Sequence, residues 1–428
     1  MVYTKEHMRS EKNKQLFPKD FLWGASTAAH QVEGGNYNQW SVWELAHAAE
    51  LAKHAKKTYG WLLNWEDVKP LASQPENYVS GRAVDHYRRY EEDFDTAKSL
   101  NLNAFRFSVE WSRLEPECGQ WDETEVAHYR QYIQELKARG LEPFLNLWHW
   151  TVPVWFAEMG GFAKRRNLHY FERFVRKIAE EYADDIKYVI TVNEPNTYVA
   201  NSYANGKWPP AEGNIVKACW VYLNLISAHK RSYKILKSAK KSLQIGAAPQ
   251  LGNIQAKRPH NPLDQLSTKL MRYIWNWFFL VATKRQLDFI GFNYYFTDYF
   301  TGMFKRQNPG VPLNDMGWYA EPEGLYPILL RTWARFKKPI IITENGIADA
   351  QDQYRRWWIE ESIVAMERAI SEGVDIRGYF HWSLLDNFEW SDGWWPKFGL
   401  VEVDREHGMK RTVRPSARWF ADRIEKLQ

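Results

Sequence analysis

Two glutamates, each at the end of a strand-like run, have the type and position needed to do chemistry as a pair. Glu344 ends the run 339–344, in which three consecutive isoleucines predict a strand buried on both faces. Glu194 ends a second run of the same design, residues 188–194. The carboxyl end of a buried parallel strand is where barrel enzymes carry their catalytic groups. One such glutamate would fit a solvated loop acid equally well, but two of them indicate a functional pair.

Paired carboxylates on either side of a sugar are the groups that hydrolyse glycosidic bonds. One must be protonated to give a proton to the leaving oxygen, and the other must be ionised to attack the sugar or activate water. Glu344 stays ionised if Arg106 and the Tyr295 hydroxyl lie beside it, because a cation and a donor favour the charged form. Glu194 has no cation next to it in the sequence, so burial near Glu344 would raise its pKa. Spacing alone leaves retention and inversion both open.

Neutral hydrogen-bonding groups and aromatic rings follow nearly every other predicted strand, which is a set suited to an uncharged, polyhydroxylated ring. Besides the charged Arg106 and Glu389, the side chains delivered in this way are Gln31, His149, Trp150, Asn193, Asn293, Tyr295, Trp382 and Trp390. A metal site is an alternative, because His149, His381 and the two glutamates could act as ligands. The chain has no HExxH or HxH pair, however, and metal sites usually need about three converging ligands. No GxGxxG or GxxxxGK[ST] phosphate loop is present either.

The elements that must position these residues alternate between strand and helix along the whole chain. Strands are predicted near 21–27, 103–111, 142–150, 188–194, 244–248, 287–295, 339–344 and 376–387. Helices are predicted near 44–57, 84–100, 123–139, 168–183, 214–240, 263–282, 323–336 and 354–372. The stretch from 58 to Gly81 has no clear period and is expected to be a loop. Eight such alternations predict a single-domain (β/α)8 barrel over residues 17–428, behind an N-terminal tail of residues 1–16. A doubly wound sheet would not explain polar residues at almost every strand end.

Composition narrows the class of protein further. The net charge of +5 comes from 57 basic and 52 acidic residues, with no dense Lys/Arg block, which argues against a nucleic-acid partner. The two cysteines, Cys118 and Cys219, exclude a disulfide framework and are expected to be buried free thiols. The charged N-terminus is not a secretory signal, and no run approaches the roughly 20 apolar residues of a membrane span. A soluble cytoplasmic protein without a membrane partner is expected. The 23 tryptophans fit either a sugar-stacking cleft or a Trp-rich core.

Short stretches of the chain resemble the motifs of glycoside hydrolase family 1. Residues 191–195 resemble its acid/base motif and residues 342–346 its nucleophile motif. Similar matches, in the family's order between about residues 17 and 420, occur at 21–24, 106–108, 147–150, 293–295 and 381–390. The resemblance implies a retaining β-glycosidase that forms a covalent glycosyl-enzyme intermediate and needs no cofactor.

The resemblance also implies a role for each matching side chain. Glu344 would be the nucleophile and Glu194 the acid/base, with Arg106, Asn293 and Tyr295 positioning Glu344. The sugar would be bound by Gln31, His149, Trp150, Asn193, Trp382, Glu389, Trp390 and Phe398. Glu389, at the far end of the sugar, would repel a 6-phosphate, so an unphosphorylated ring is expected. Trp208 and Trp318 stand where the sequence departs from the family's pattern, and we expect them on the aglycone side.

The expected activity is hydrolysis of non-reducing terminal β-D-glucosyl residues, with β-galactosidase and β-fucosidase side activities. The expected partners are small β-glycosides or short oligosaccharides. A transglycosylase with the same carboxylate pair is an alternative, because its first step is identical. A catalytically silent sugar-binding protein on the same barrel is another, although it would be expected to lack one of the glutamates. The residue set does not decide between glucose, galactose and mannose.

Overall fold

The computed structural model describes residues 16–308 and 314–428, and eight parallel strands form its centre. They are β1 (Leu22–Ser26), β2 (Ala104–Ser108), β3 (Glu142–Asn146), β4 (Tyr188–Asn193), β5 (Gln244–Ala248), β6 (Ile290–Tyr294), β7 (Ile340–Asn345) and β8 (Ile376–Trp382). Their order in the sheet is β5-β4-β3-β2-β1-β8-β7-β6. The seam between β5 and β6 is bridged by the Asp288 amide, which donates to the Ile245 carbonyl at 2.8 Å. The predicted (β/α)8 barrel is confirmed, and the doubly wound sheet is excluded.

The barrel is filled by side chains rather than open. Every residue of β1, β2, β6 and β7 is buried, as expected for parallel strands covered on both faces. One apolar cluster fills the interior: Leu22, Ala104, Phe144, Ile190, Ala248, Phe289, Ile341 and Phe380. Because this plug closes the core of the barrel, the polar side chains at the strand ends gather in one layer above it.

Helices surround the barrel between successive strands. They are His86–Ser99, Glu123–Ala138, Leu168–Tyr182, Ile215–Ala239, Pro262–Arg272, Phe278–Thr283, Leu325–Phe336 and Arg355–Ser371, followed by the last helix Pro415–Leu427. Single helical turns occur at Ala29–Val32, Trp111–Leu114, Val154–Glu158 and Pro195–Tyr198. Asp122, Asn214 and Asn261 cap three of the long helices through their side-chain oxygens. The helix predicted near 263–282 is interrupted by a π-helical segment, Tyr273–Trp277.

The first connection between strand and helix corrects one prediction. Helix Gln39–Tyr59 begins at an Asn38 capping box, but the stretch predicted as a loop contains a second helix, Trp65–Ala72. Trp65, Val68 and Ala72 bury one face of this helix, and Pro70 within it obscured the pattern. A 3₁₀ turn, Pro75–Tyr78, completes the insertion.

Short strands lie outside the barrel in two pairs. Asn253–Ala256 pairs in parallel with Thr297–Phe300, and Val401–Asp404 pairs antiparallel with Lys410–Val413. The first pair joins the connection after β5 to the connection after β6.

Two further expectations concern the surface and the tail. Cys118 and Cys219 are free, as expected, but both are exposed, so the prediction of buried thiols is wrong. The predicted tail, apart from Leu16, lies outside the described residues. Among the helices of the described chain, none has the length and apolar content to cross a membrane.

Candidate active site

Glu344 lies at the carboxyl end of β7 with a donor on each carboxylate oxygen. Arg106 on β2 forms an ion pair through Nη1 with Oε1, and the Tyr295 hydroxyl donates to Oε2 at 2.6 Å. Burial, and next the charge of Glu344, raise the pKa of Tyr295 well above its usual value. Tyr295 therefore stays a proton donor, and both oxygens of Glu344 are paired in a way that favours the carboxylate.

Glu194, immediately after β4, has quite different surroundings. Its Oε1 accepts a hydrogen bond of 2.9 Å from the Asn293 side-chain amide. Burial, and after it the repulsion from Glu344, raise the pKa of Glu194 to about 8. At neutral pH this carboxyl group is therefore mostly protonated, although it lies in the same buried layer as Glu344.

Asn193 connects the two glutamates. Its side-chain oxygen accepts from Arg106 Nη2 at 2.7 Å and from Asn293 Nδ2 at 3.1 Å. Arg106 and Asn293 thus each contact Asn193 and one glutamate. Thr343, one residue before Glu344, donates to the Asn293 side-chain oxygen at 2.6 Å and fixes the orientation of that amide.

His149, after β3, lies next to Asn193. The Asn193 amide nitrogen is 3.0 Å from His149 Nε2, and the Asn146 amide nitrogen is 3.1 Å from Nδ1. Burial and the nearby Arg106 charge hold the pKa of His149 well below its usual value. The imidazole is neutral at physiological pH, so it can serve as a hydrogen-bonding group without adding charge beside the glutamates.

Glu389, in the long loop after β8, defines another side of the site. Its Oε2 accepts from Asn387 Nδ2 at 3.0 Å and from Gln31 Nε2 at 3.3 Å. Burial raises the pKa of Glu389 to about 8. This carboxyl group is therefore largely protonated at neutral pH, and any charge repulsion of a phosphate grows as the pH rises through 8.

Tryptophan rings form one wall of the site. Trp390 lies 4.9 Å from Trp150 and 6.1 Å from Trp208 between ring centroids, and its ring is stacked on His149 at 6.0 Å. The Trp150 indole nitrogen donates to the Asn193 carbonyl at 3.0 Å. Trp208, expected on the aglycone side, is thus packed into this wall.

A second group of aromatic rings surrounds Tyr295. Trp318 lies 5.8 Å from the Tyr295 ring, and Phe398 lies edge-on to it at 6.2 Å. Phe398 is fully buried, so it supports Tyr295 by packing. Trp382 stacks on His149 at 5.7 Å and joins the core cluster that includes Tyr295 and Phe398.

Three residues of the site have left-handed backbone conformations. Their φ angles are +76° at Trp150, +39° at Glu194 and +51° at Trp390. Such conformations are costly for residues other than glycine and tend to occur where function requires them. Glu194 directly follows β4, whereas Trp150 and Trp390 lie in the loops after β3 and β8.

Sequence reasoning missed several residues that hold this site together. Trp40 lies 4.7 Å from the Trp390 ring, and the Tyr59 hydroxyl donates to Asp392 Oδ1 at 2.8 Å. The Asn77 side chain accepts from the Trp394 amide at 2.9 Å. These contacts join the first insertion to the last loop over more than 300 positions, so no local pattern could reveal them.

The possible metal ligands are dispersed. Within residues 16–308 and 314–428, no three His, Cys, Asp or Glu side chains are grouped so that they could hold a metal ion. Two buried glutamates lie at the strand ends of this (β/α)8 barrel, and they differ in their hydrogen-bonding and charged partners. This arrangement is typical of glycoside hydrolases.

Comparison with known proteins agrees with this class. The sequence profile of glycosyl hydrolase family 1 matches residues 13–286 and 280–428. Beta-glucosidase A of Thermotoga maritima is 29% identical, over 96% of this chain and 98% of that protein. A beta-galactosidase of Sulfolobus acidocaldarius is 30% identical, over 94% of this chain and 93% of that protein.

Solved structures show the same relationship. A beta-glycosidase from Pyrococcus horikoshii superposes with a TM-score of 0.85 at 32% identity, over 96% of this chain and 95% of that one. The beta-glucosidase from Thermotoga maritima in complex with glucoimidazole superposes with a TM-score of 0.84 at 27% identity, over 97% of this chain and 100% of that one. The chain therefore belongs to glycosyl hydrolase family 1 and is a retaining β-glycosidase.

Proposed function

We propose that the chain is a β-glucosidase in which Glu344 is the nucleophile and Glu194 the acid/base. The observation that carries the assignment is the contrast between two equally buried carboxyl groups. Glu344 has a guanidinium and a phenol on its oxygens, whereas Glu194 has a neutral amide and a pKa of about 8. The first arrangement favours an anion that can attack, and the second favours an acid that can donate.

The proposed reaction has two steps. A Glu344 oxygen attacks the anomeric carbon while the bond to the leaving oxygen breaks and Glu194 gives that oxygen its proton. The glycosyl ester on Glu344 is then attacked at the anomeric carbon by water, which loses a proton to Glu194 as the ester bond breaks. The sugar leaves with its original configuration, and both glutamates return to their starting states.

Sugar binding is assigned to the side chains around this pair. Gln31, His149, Trp150, Asn193, Trp382, Glu389 and Trp390 would hold the ring, with Asn193 at its 2-hydroxyl. The Gln31 side-chain oxygen is buried and has no hydrogen-bond partner in the described part of the chain, so a sugar hydroxyl would satisfy it. Phe398 would act through Tyr295, while Trp208 and Trp318 would border the leaving group.

Glucose is proposed because the relatives with broad coverage include named beta-glucosidases and one structure with glucoimidazole. The relative named a beta-galactosidase supports a β-galactosidase side activity. Given that activity, β-fucosidase activity would require only that the site accept a galactose ring without its 6-hydroxyl. A panel of nitrophenyl β-glycosides tests this: we expect the highest kcat/KM for the glucoside. A higher value for the mannoside would contradict it. Analysis of the sugar products with and without an added alcohol separates hydrolysis from transfer to the alcohol.

The roles of the glutamates are tested by Glu344→Gly with added azide. We expect turnover to fall by about 10⁵-fold, and azide in the vacated space to restore part of it with an inverted α-glycosyl azide as product. The matched control is Glu194→Gly. There azide would attack the glycosyl ester from the acid/base side and give a retained β-glycosyl azide. Retained product from Glu344→Gly would overturn the assignment.

A further inference from the structure

The helix Pro262–Arg272 has its polar side buried and its apolar side exposed. Asp264, Ser267 and Thr268 are buried. Leu263 and Leu266, in contrast, are 65% and 64% exposed, and Leu270 is 44% exposed. Outward leucines at this spacing are the reverse of the usual pattern for a helix on a globular domain.

The buried polar side holds this helix firmly on the protein. Asp264 accepts from the Arg258 guanidinium at 2.8 and 2.9 Å and from the Gly302 amide at 2.8 Å. Ser267 donates to the Leu263 carbonyl at 2.8 Å, within the same helix, and the Arg272 guanidinium donates to the Ile254 carbonyl at 2.6 Å. Because the Asp264 carboxylate is paired on the inner side, the helix is fixed in this orientation. Its leucine side has no partner in the described structure.

The exposed apolar side continues along the chain into the next segment. Ile274, in the π-helical segment that directly follows the helix, is 48% exposed. We call the outer apolar face the set Leu263, Leu266, Leu270 and Ile274. Exposed apolar sets of this kind mark interaction surfaces.

The same part of the chain is strongly basic. Residues 214–286 contain 13 Lys and Arg side chains and a single acidic one, Asp264, which is buried in an ion pair. The rest of the chain must therefore be net acidic, given the overall charge of +5. Lys269, Arg331 and Arg335 line a groove of about 770 Å³ beside Leu266 and Leu270. The basic residues are spread along the segment rather than grouped in a block, which is why the sequence alone did not reveal them.

Basic side chains lie directly beside the leucines. In a (β/α)8 barrel each helix starts near the carboxyl ends of the strands, so the start of the helix Pro262–Arg272 lies toward the active-site end. Lys269 and Arg335 line the same groove as Leu266 and Leu270. Apolar side chains bordered by cations match the acyl region and the headgroups of an anionic bilayer.

We propose that the outer apolar face docks on the surface of an anionic membrane, lying in the interface without spanning it. Charge complementarity selects this occupant. A second copy joined by a two-fold axis would oppose basic to basic. Residues 1–15 carry four basic and two acidic side chains, so they too have the wrong sign to cover it.

Docking here would bring the membrane close to the catalytic groups. The carbonyl of Trp275, on the inner side of the π-helical segment, accepts from the Asn196 side chain at 3.3 Å. Asn196 is two residues after Glu194 in the turn that carries the acid/base candidate. The outer face and the active site thus share one wall.

The test is co-sedimentation of the full chain with vesicles at low ionic strength. Phosphatidylcholine mixed with phosphatidylglycerol is compared with pure phosphatidylcholine. We expect binding to the anionic vesicles, reduced by salt. The double variant Leu266→Asn/Leu270→Asn should lose about tenfold or more in partition coefficient, and Lys269→Gln/Arg335→Gln about fivefold per charge. The control is Leu45→Asn/Leu63→Asn, which changes two leucines of similar exposure outside the face.

Hydrolysis of a nitrophenyl β-glycoside and the thermal midpoint show that each variant is folded, and the vesicle readout does not depend on the assignment of the glutamates. Absence of binding to anionic vesicles by the parent chain would overturn the proposal. So would equal losses in the control variant. A concentration-dependent dimer in sedimentation velocity, abolished by Leu266→Asn/Leu270→Asn, would overturn it in favour of a second copy.

Discussion

Glu344 and Glu194 have the same exposure, 4% each, and occupy equivalent positions after two parallel strands, yet their surroundings differ. Glu344 is held between Arg106 and Tyr295. Glu194 contacts the neutral amide of Asn293 and experiences the charge of Glu344. Depth of burial is the same for both, so the two groups differ in their hydrogen-bonding and charged partners.

The difference also shows how one side chain can serve both environments. Asn193 accepts from Arg106 and from Asn293, so it separates the cation from Glu194 while fixing both donors. A guanidinium moved across to Glu194 would lower the pKa of that group and remove its proton at neutral pH. Substitutions that change one of the two environments at a time should therefore have different effects.

The largest effect is expected from Glu194→Gln, and it should depend on the leaving group. For a β-glucoside with a poor leaving group, such as an alkyl alcohol, kcat/KM should fall by about 10³-fold, because protonation is lost. For the 2,4-dinitrophenyl β-glucoside, whose leaving group needs no proton, the first step should be nearly unchanged. Pre-steady-state release of dinitrophenol measures this. Glu344→Gln is the control and should lose both substrates; equal losses in Glu194→Gln would contradict the acid role.

The free energy of unfolding should depend on pH through Glu194. The pKa of Glu194 is raised to about 8 in the folded chain from 4.5, so between these values the unfolded state releases a proton that the folded state keeps. The parent chain should therefore lose stability as the pH rises from 5 to 8. Relative to it, Glu194→Gln should gain about 4 kcal/mol across that window. Urea unfolding at both pH values measures the gain, and a difference independent of pH would contradict the raised pKa.

Removing the phenol beside Glu344 should have a smaller effect. Tyr295→Phe deletes a hydrogen bond to a charged group, so we expect kcat/KM to fall about 10- to 100-fold. Tyr294→Phe is the matched control, because the adjacent hydroxyl donates to the Glu321 carbonyl at 2.6 Å, away from the pair. It should alter stability while leaving kcat/KM within a few-fold. Similar losses from both variants would mean that Tyr295 acts only through packing.

The smallest effect is expected from Tyr59→Phe, in the first insertion. Its hydroxyl holds Asp392, two residues after Trp390, so KM should rise about two- to fivefold with kcat almost unchanged. Thr58→Val is the control in the same insertion, since that hydroxyl donates to the His54 carbonyl at 3.2 Å on an exposed part of the helix. An unchanged KM in Tyr59→Phe would show that the insertion does not position the Trp390 loop.

The barrel was predictable because its strands are short β-branched or aromatic runs that end in polar residues, as in β7 and β4. The pairing of Glu344 with Arg106 followed from chemistry once the strands were placed. The helix Trp65–Ala72 was missed because Pro70 breaks a pattern of three apolar residues. The link from Tyr59 to Asp392 was missed because it joins distant parts of the chain.

The outer apolar face could not be predicted for a different reason. Leu263, Leu266 and Leu270 have the spacing of one helix face, and that spacing is identical whether the face is directed inward or outward. Sequence periodicity predicts that such a face exists but not its orientation. The expectation of no membrane partner rested on the lack of a spanning run, which does not test for a helix lying on a surface.

The proposed two-step reaction depends most on Glu344, the carboxylate that bonds to the sugar. The direct measurement is to inactivate the chain with 2,4-dinitrophenyl 2-deoxy-2-fluoro-β-D-glucoside, whose glycosyl ester turns over slowly, and to locate the label by peptide mass spectrometry. We predict one label per chain, on Glu344. A label on Glu194 or Glu389, or full inactivation without any covalent label, would contradict the assignment.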